Sequence, residues 1–134
     1  MEFNLSIGMS MEEEYVVTEA DTAVHFGSGT VTVLATPKMI AWMEGVSLNA
    51  VLPFLPKGYD TVGTAVDITH SAATPVGMKV RVVSELIEID GKALTFKVKA
   101  YDEVDKIGSG IHKRAIVELD RFIKRTKEKG KKAK

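Results

Sequence analysis

One long apolar helical segment set among extended ones constrains this chain more than any other feature. Thr36-Pro37 marks the helix start, because a threonine hydroxyl can accept a first-turn N–H and proline at the first helical position loses no hydrogen bond. Pro53 disfavours helical geometry in the residue before it, so the helix is predicted to run to Leu52, with Gly45 as a tolerated weak point. Four extended segments are predicted to follow, at 63–74, 78–89, 93–102 and 106–119, and Asp90-Gly91 between the second and third is a strong hairpin signal. In "ALTFKVKAY" the alternation puts Leu94, Phe96, Val98 and Ala100 inward and Thr95, Lys97, Lys99 and Tyr101 outward. Ahead of the helix, "EEYVVTEADTAVHF" supplies one strand or two around a turn at 19–22, followed by the flexible "GSGT". Strands joined by short turns make an antiparallel sheet, and the lone helix must cover its buried face. The expected class is α+β, a sheet wrapped around one helix.

The 134 residues fit one domain with a real core and leave no room for a second. We place that domain at 1–120 and a basic C-terminal helix or tail at 121–134. No secretory leader and no stretch approaching the roughly 20 apolar residues of a membrane span is present, so the expectation is a cytoplasmic protein without a membrane partner. The absence of cysteine excludes disulfides, thiolate metal sites and cysteine nucleophiles. A formal net charge of zero hides a split: 121–134 carry eight Lys/Arg against one acid, leaving ten bases against seventeen acids in 1–120. An acidic body argues against a nucleic-acid surface, and the Lys-rich end reads as a solvated terminus.

His70 raises the first question about chemistry. Alternation along its strand puts it on the side carrying Val66 and Ile68, where an imidazole is ordinarily a satisfied core or edge residue. A second polar group sits out of place on the helix. With Thr36 at zero and about 100° per residue, Glu44 falls near ~80°, between Ile40 and Leu48 and inside the apolar stripe, away from the polar positions Lys38 and Asn49. A glutamate there requires a partner, a cavity or a subunit interface. Glu44 from the helix and His70 from the sheet are therefore expected to share one site, suited to general acid–base work, with the Thr36 hydroxyl at the helix start either capping that helix or polarising a carbonyl.

These pieces resemble a known family. "AT" before the helix, "WMEG" around Glu44, "GTAVDITHSAATPVGMKVRV" and "DEVDKIGSGIHKRAIVEL" are similar to the fluoroacetyl-CoA thioesterase-like branch of hotdog-fold thioesterases and cover most of 35–119. The resemblance implies a hotdog fold and an acyl-CoA thioesterase, with a catalytic set falling on Thr36, Glu44 and His70. It implies that Gly63 lies close to the acyl thioester and that Arg114 lies near the site or the CoA. It further implies a homodimer with active sites along the subunit interface. The segment ahead of Thr36, "GSGTVTVL", is short where the fluoroacetyl-CoA enzyme carries a longer aromatic-bearing one, so a small acyl group is implied without being identified.

No cofactor is expected beyond the CoA of the substrate. His25, His70 and His112 lack the close spacing of a helical metal motif, and "GSGT" and "GSG" lack a phosphate-loop lysine or a dinucleotide fingerprint. His112 is expected at a strand edge or beside a CoA phosphate. Two rivals remain at this level: a hotdog hydratase or dehydratase, and a non-catalytic acyl-CoA binding module.

Overall fold

A computed structural model of the chain describes residues 3–133. The elements run β1 (Ser10–Val16), a 3-10 turn (Glu19–Asp21), α1 (Ala23–Phe26), α2 (Thr36–Val51), a second 3-10 turn (Leu52–Phe54), β2 (Tyr59–His70), β3 (Lys79–Asp90), β4 (Ala93–Tyr101), β5 (Lys106–Glu118) and α3 (Leu119–Lys132). The five strands form one antiparallel sheet in the order β1-β3-β4-β5-β2, which leaves β1 and β2 at its edges.

The alternation predicted for β4 holds, with Leu94, Phe96, Val98 and Ala100 fully buried. They meet Val80, Val82 and Leu86 of β3 and the buried face of α2, formed by Met39, Trp42, Met43, Val46, Ala50 and Val51. Each large side chain removed from water here contributes about 1.5–3 kcal/mol. Trp42 stacks on Tyr15 of β1 with ring centroids 4.5 Å apart and planes within 4°. Inside this apolar layer the Ser47 hydroxyl donates to Met43 O at 2.7 Å and lies 2.8 Å from Ser84 Oγ on β3. Ser47 has spent its only hydrogen on Met43, so Ser84 is the donor across the helix–sheet contact.

Three local points are decided by the structure. The stretch after β1 does not give a second strand: Thr22 Oγ1 accepts the His25 N–H at 3.3 Å, and Gly27 at φ 69° ends a four-residue helix. Thr36 is not the N-cap of α2. Ala35 holds that position with extended backbone, and its carbonyl accepts from Lys38 and Met39, which frees the Thr36 hydroxyl. Beyond a register slip between Gly63 and Ala65, Val66, Ile68 and His70 share the core-facing side of the sheet, opposite His112, Gly110 and Gly108, but β2 is an edge strand and Val66 is 47% exposed.

Candidate active site

The Thr36 hydroxyl, released from capping, lies 2.7 Å from His70 Nδ1. The start of α2 and the end of β2 are thereby tied together. Both residues line a cleft of about 390 Å³ whose walls include Ala23, Val33, Leu34, Pro37 and Ala72. His70 Nε2 is buried and has no hydrogen-bond partner among the described residues, an arrangement that costs stability unless a ligand or water supplies one. Burial pulls the His70 pKa below the ordinary imidazole value, against a smaller opposing pull from the Ala72 backbone. A neutral, unpartnered imidazole nitrogen beside a small apolar cleft can accept a proton from a bound hydroxyl or water.

Glu44 forms a separate cluster. It lies at the margin of the buried stripe rather than inside it, since the helix buries Met39, Met43, Val46 and Ala50 and leaves Ile40, Glu44 and Leu48 half-buried. Its carboxylate approaches the backbone of Gly63 so closely that a Cβ at that position would stand 2.9 Å from Oε2, with Arg114 Nη1 and His112 Cε1 each 3.5 Å from the same point. Only glycine admits this approach without displacement.

Arg114 and His112 form the floor beneath it. Arg114 is 7% exposed and gives Nε to Thr61 Oγ1 at 2.8 Å and Nη2 to Thr61 O at 3.0 Å. His112 is 1% exposed; its Nδ1 lies 2.8 Å from Ala65 O and its Nε2 lies 3.2 Å from Arg114 Nη1. A carbonyl only accepts and a guanidinium only donates, so His112 is the neutral Nδ1–H tautomer. Burial holds its pKa low; the Ala65 carbonyl and Glu44 oppose, and the Arg114 charge adds to the lowering. Burial also lowers the Arg114 pKa, with Glu44 and Asp60 opposing.

The sequence expectation that Glu44 and His70 meet is not met within one chain. Glu44 follows Thr36 by eight residues, about 12 Å along the helix axis, and its neighbour Gly63 precedes His70 by seven residues on β2. The structure brings Thr36 to His70 and Glu44 to Gly63, His112 and Arg114. His112, expected at a strand edge or beside a CoA phosphate, lies on the interior strand β5 and is buried. The signal was present in "HKRA", where alternation puts His112 and Arg114 on one strand face with Ile116. Among the described residues, no three His, Asp or Glu side chains gather as a metal site, and no helix is long and apolar enough to cross a membrane.

A five-stranded antiparallel sheet wrapped around one long helix is the hotdog fold, and this protein is a hotdog-fold thioester hydrolase. The chain belongs to the fluoroacetyl-CoA-specific thioesterase family, whose sequence profile matches residues 17–120. The fluoroacetyl-CoA thioesterase of Streptantibioticus cattleyicolor is 42% identical over 97 residues, which span 72% of this chain and 70% of that protein. A crystal structure of the fluoroacetyl-CoA thioesterase FlK superposes with a TM-score of 0.89 at 35% identity, covering 94% of this chain and 98% of that one. A thioesterase-superfamily protein of Thermus thermophilus superposes with a TM-score of 0.85 at 30% identity, covering 94% and 96% of the two chains.

Proposed function

We propose that this enzyme hydrolyses small acyl-CoA thioesters at sites shared between two protomers, each site taking Thr36 and His70 from one chain and Glu44 with Gly63 from the other. The observation that carries this reading is β2 itself. Twelve residues long and exposed through its middle, it is an open edge, a ready template for a second strand. Two-fold pairing of β2 with a partner's β2 is antiparallel, and a dyad at Asp67, with the extra residue at the register slip between Gly63 and Ala65, sets Gly63 opposite the partner's His70 on the same face of the sheet. The two clusters that one chain holds apart then face each other.

In this site His70 removes the proton from the oxygen attacking the thioester carbonyl. The carbonyl carbon becomes tetrahedral, and its oxygen takes up negative charge near the start of α2, where the Thr36 N–H has no partner among the described residues. The C–S bond then breaks, and His70 returns the proton to the departing CoA sulfur. Thr36 holds the imidazole through Nδ1, and Glu44 stabilises the cation formed during transfer. Arg114 lies beneath Gly63 and fixes the floor on which the thioester rests. These side chains carry the reaction without a cofactor. The cleft walls of Val33, Leu34, Pro37 and Ala72 suit a short acyl group. We place the activity in the cytoplasm, with the absence of cysteine in support.

The test is thiol release from a panel of short acyl-CoAs by wild type, Glu44→Gln and His70→Ala, followed by unfolding and remixing of the two variants. Each variant alone is expected to be inactive. The remixed sample is expected to recover about one quarter of wild-type turnover, since half of randomly paired dimers then hold one intact site. No recovery, with both variants folded and dimeric, would place each site within a single chain.

A further inference from the structure

We propose that the groove between α3 and the outer face of β5 and β2 docks the phosphorylated adenine nucleotide of CoA. The inference rests on the acyl-CoA reading above and adds a second subsite to it.

α3 is basic on one side. Taking Arg125 as zero and 100° per residue, Arg121, Arg125, Lys129 and Lys132 fall within ~80° of one another. Arg125 and Lys129 line a groove of about 480 Å³ with Val62, Ala115, Val117 and Phe122. Adjoining it, a second groove of about 440 Å³ turns the corner of the sheet past Tyr59, Lys92 and Arg121, sharing Phe122 and Arg125. The acids nearby are Asp60, opposite Val117 on β2 and accepting the Thr61 N–H at 2.7 Å, Glu118, which pairs with Arg121 at 3.9 Å, and Glu128, at the margin of the stripe; Asp120 falls on the opposite side of the helix. Arg125 and Lys129 have no carboxylate within ion-pairing distance among the described residues.

This is the chemistry a nucleotide bisphosphate requires. Guanidinium and ammonium groups meet phosphates, and an aromatic ring lies open beside them for a base: Phe122, against Val62, Ala115 and Val117 of the groove, is 37% exposed. The basic end is solvated but not frayed: α3 is exposed along its length, yet it continues directly from β5, and Leu119 N–H donates to Gly58 O at 2.9 Å, fixing the helix start at the beginning of β2. That position matters in the shared site. With Gly63 opposite the partner's His70, antiparallel register carries Tyr59 and Val62 toward the strand end that follows the partner's His70. The basic groove therefore stands beside the mouth of the partner's cleft, on the path of a CoA whose acyl end lies inside. The acidic balance of residues 1–120 makes this basic strip the favoured landing point for a polyanionic substrate.

The test compares three proteins by calorimetry with adenosine 3′,5′-bisphosphate: wild type, Arg125→Glu/Lys129→Glu, and Lys127→Glu/Lys131→Glu. The last makes the same charge change at ~200–240° on the wheel, away from the groove. Wild type is expected to bind, the groove variant to bind at least tenfold more weakly, and the off-groove variant to stay within about twofold. Kinetically, the groove variant is expected to raise KM for the best acyl-CoA of the panel about tenfold more than KM for the matching acyl-pantetheine. No binding by wild type overturns the proposal. So does equal weakening in both variants, which would reduce the strip to a diffuse field, or capture of duplex DNA without the bisphosphate. If the bisphosphate binds as stated while no acyl-CoA is hydrolysed, the groove stands and the thioesterase reading falls.

Discussion

Thr36 Oγ1 stands 2.7 Å from Nδ1 of His70, so the imidazole that edges the cleft is held by the first residue of the central helix. Replacing Thr36 by Val keeps the shape and deletes the bond. We expect Thr36→Val to lower kcat by about 10²-fold, within the range for a misdirected acid–base group, and Thr36→Ser to recover most of it. Stopped-flow thiol release on both variants measures this, and equal rates in the two would remove the bond from the mechanism.

Gly63 and Gly110 make opposite demands. A Cβ on Gly63 meets the mobile end of Glu44, whereas one on Gly110 drives into the backbone of Asp67 on the neighbouring strand. Gly63→Ala is therefore expected to fold with a stability loss below about 1 kcal/mol while losing activity at least tenfold, and Gly110→Ala is expected to unfold several degrees earlier. Thermal melts beside turnover separate the two effects, and a Gly63→Ala enzyme of full activity would count against the Glu44 approach.

His70 must be neutral to act as base, and burial has lowered its pKa from 6.5. In a Val66→Lys monomer, where no partner brings Glu44 to the ring, His70 is accordingly expected to titrate below pH 6.5 by NMR, and a midpoint above 6.5 there would mean that burial does not govern the ring.

His112 couples pH to stability in the same direction. Its folded pKa lies below the unfolded value of 6.5, so the unfolded chain binds more protons between the two. Stability from His112 is complete above pH 6.5 and declines as pH falls below it, because the protonated ring would be buried away from water and, secondarily, would confront Arg114. Denaturant midpoints from pH 7.5 to 5 should fall for wild type and fall less steeply for His112→Leu. Removing the other partner, Arg114→Leu, strands Thr61 O and His112 Nε2 and is expected to cost about 3 kcal/mol.

Val66 is 47% exposed at the middle of the open edge. Val66→Lys is expected to yield a folded monomer with no thioesterase activity, since a charged side chain there opposes strand pairing. Sedimentation and turnover on one sample decide it: an active monomer would contradict the shared site.

Much of the architecture was legible because it is written in alternation. Leu94 to Ala100 declare their face, Asp90-Gly91 declares its turn, and Thr36-Pro37 declares where the helix begins. What could not be read depends on partners distant in sequence. The role of the Thr36 hydroxyl is decided by His70, 34 residues later, and not by the local rule that favours capping. Alternation rightly puts Val66, Ile68 and His70 on one side, but only strand order shows that β2 is an edge and leaves Val66 open. Glu44 was singled out correctly as a carboxylate in unusual company, yet that company proved to be Gly63 and Arg114, because a helical wheel gives direction without distance. α1 escapes the sequence pattern for the opposite reason, as one threonine cap and one left-handed glycine decide a four-residue helix too short to show a period.

The Ser47–Ser84 pair sets a limit on how this enzyme can evolve. Apolar side chains tolerate small rotations of a helix about its own axis, but a hydroxyl chain from Met43 O through Ser47 to Ser84 is satisfied at one azimuth only. Ser47 follows Glu44 by three residues, so the pair works as a locating pin whose setting fixes the bearing of the carboxylate nearly one turn away. Changes of acyl specificity can then accumulate in the walls of the cleft while the aim of Glu44 stays calibrated from a place that substrate never touches.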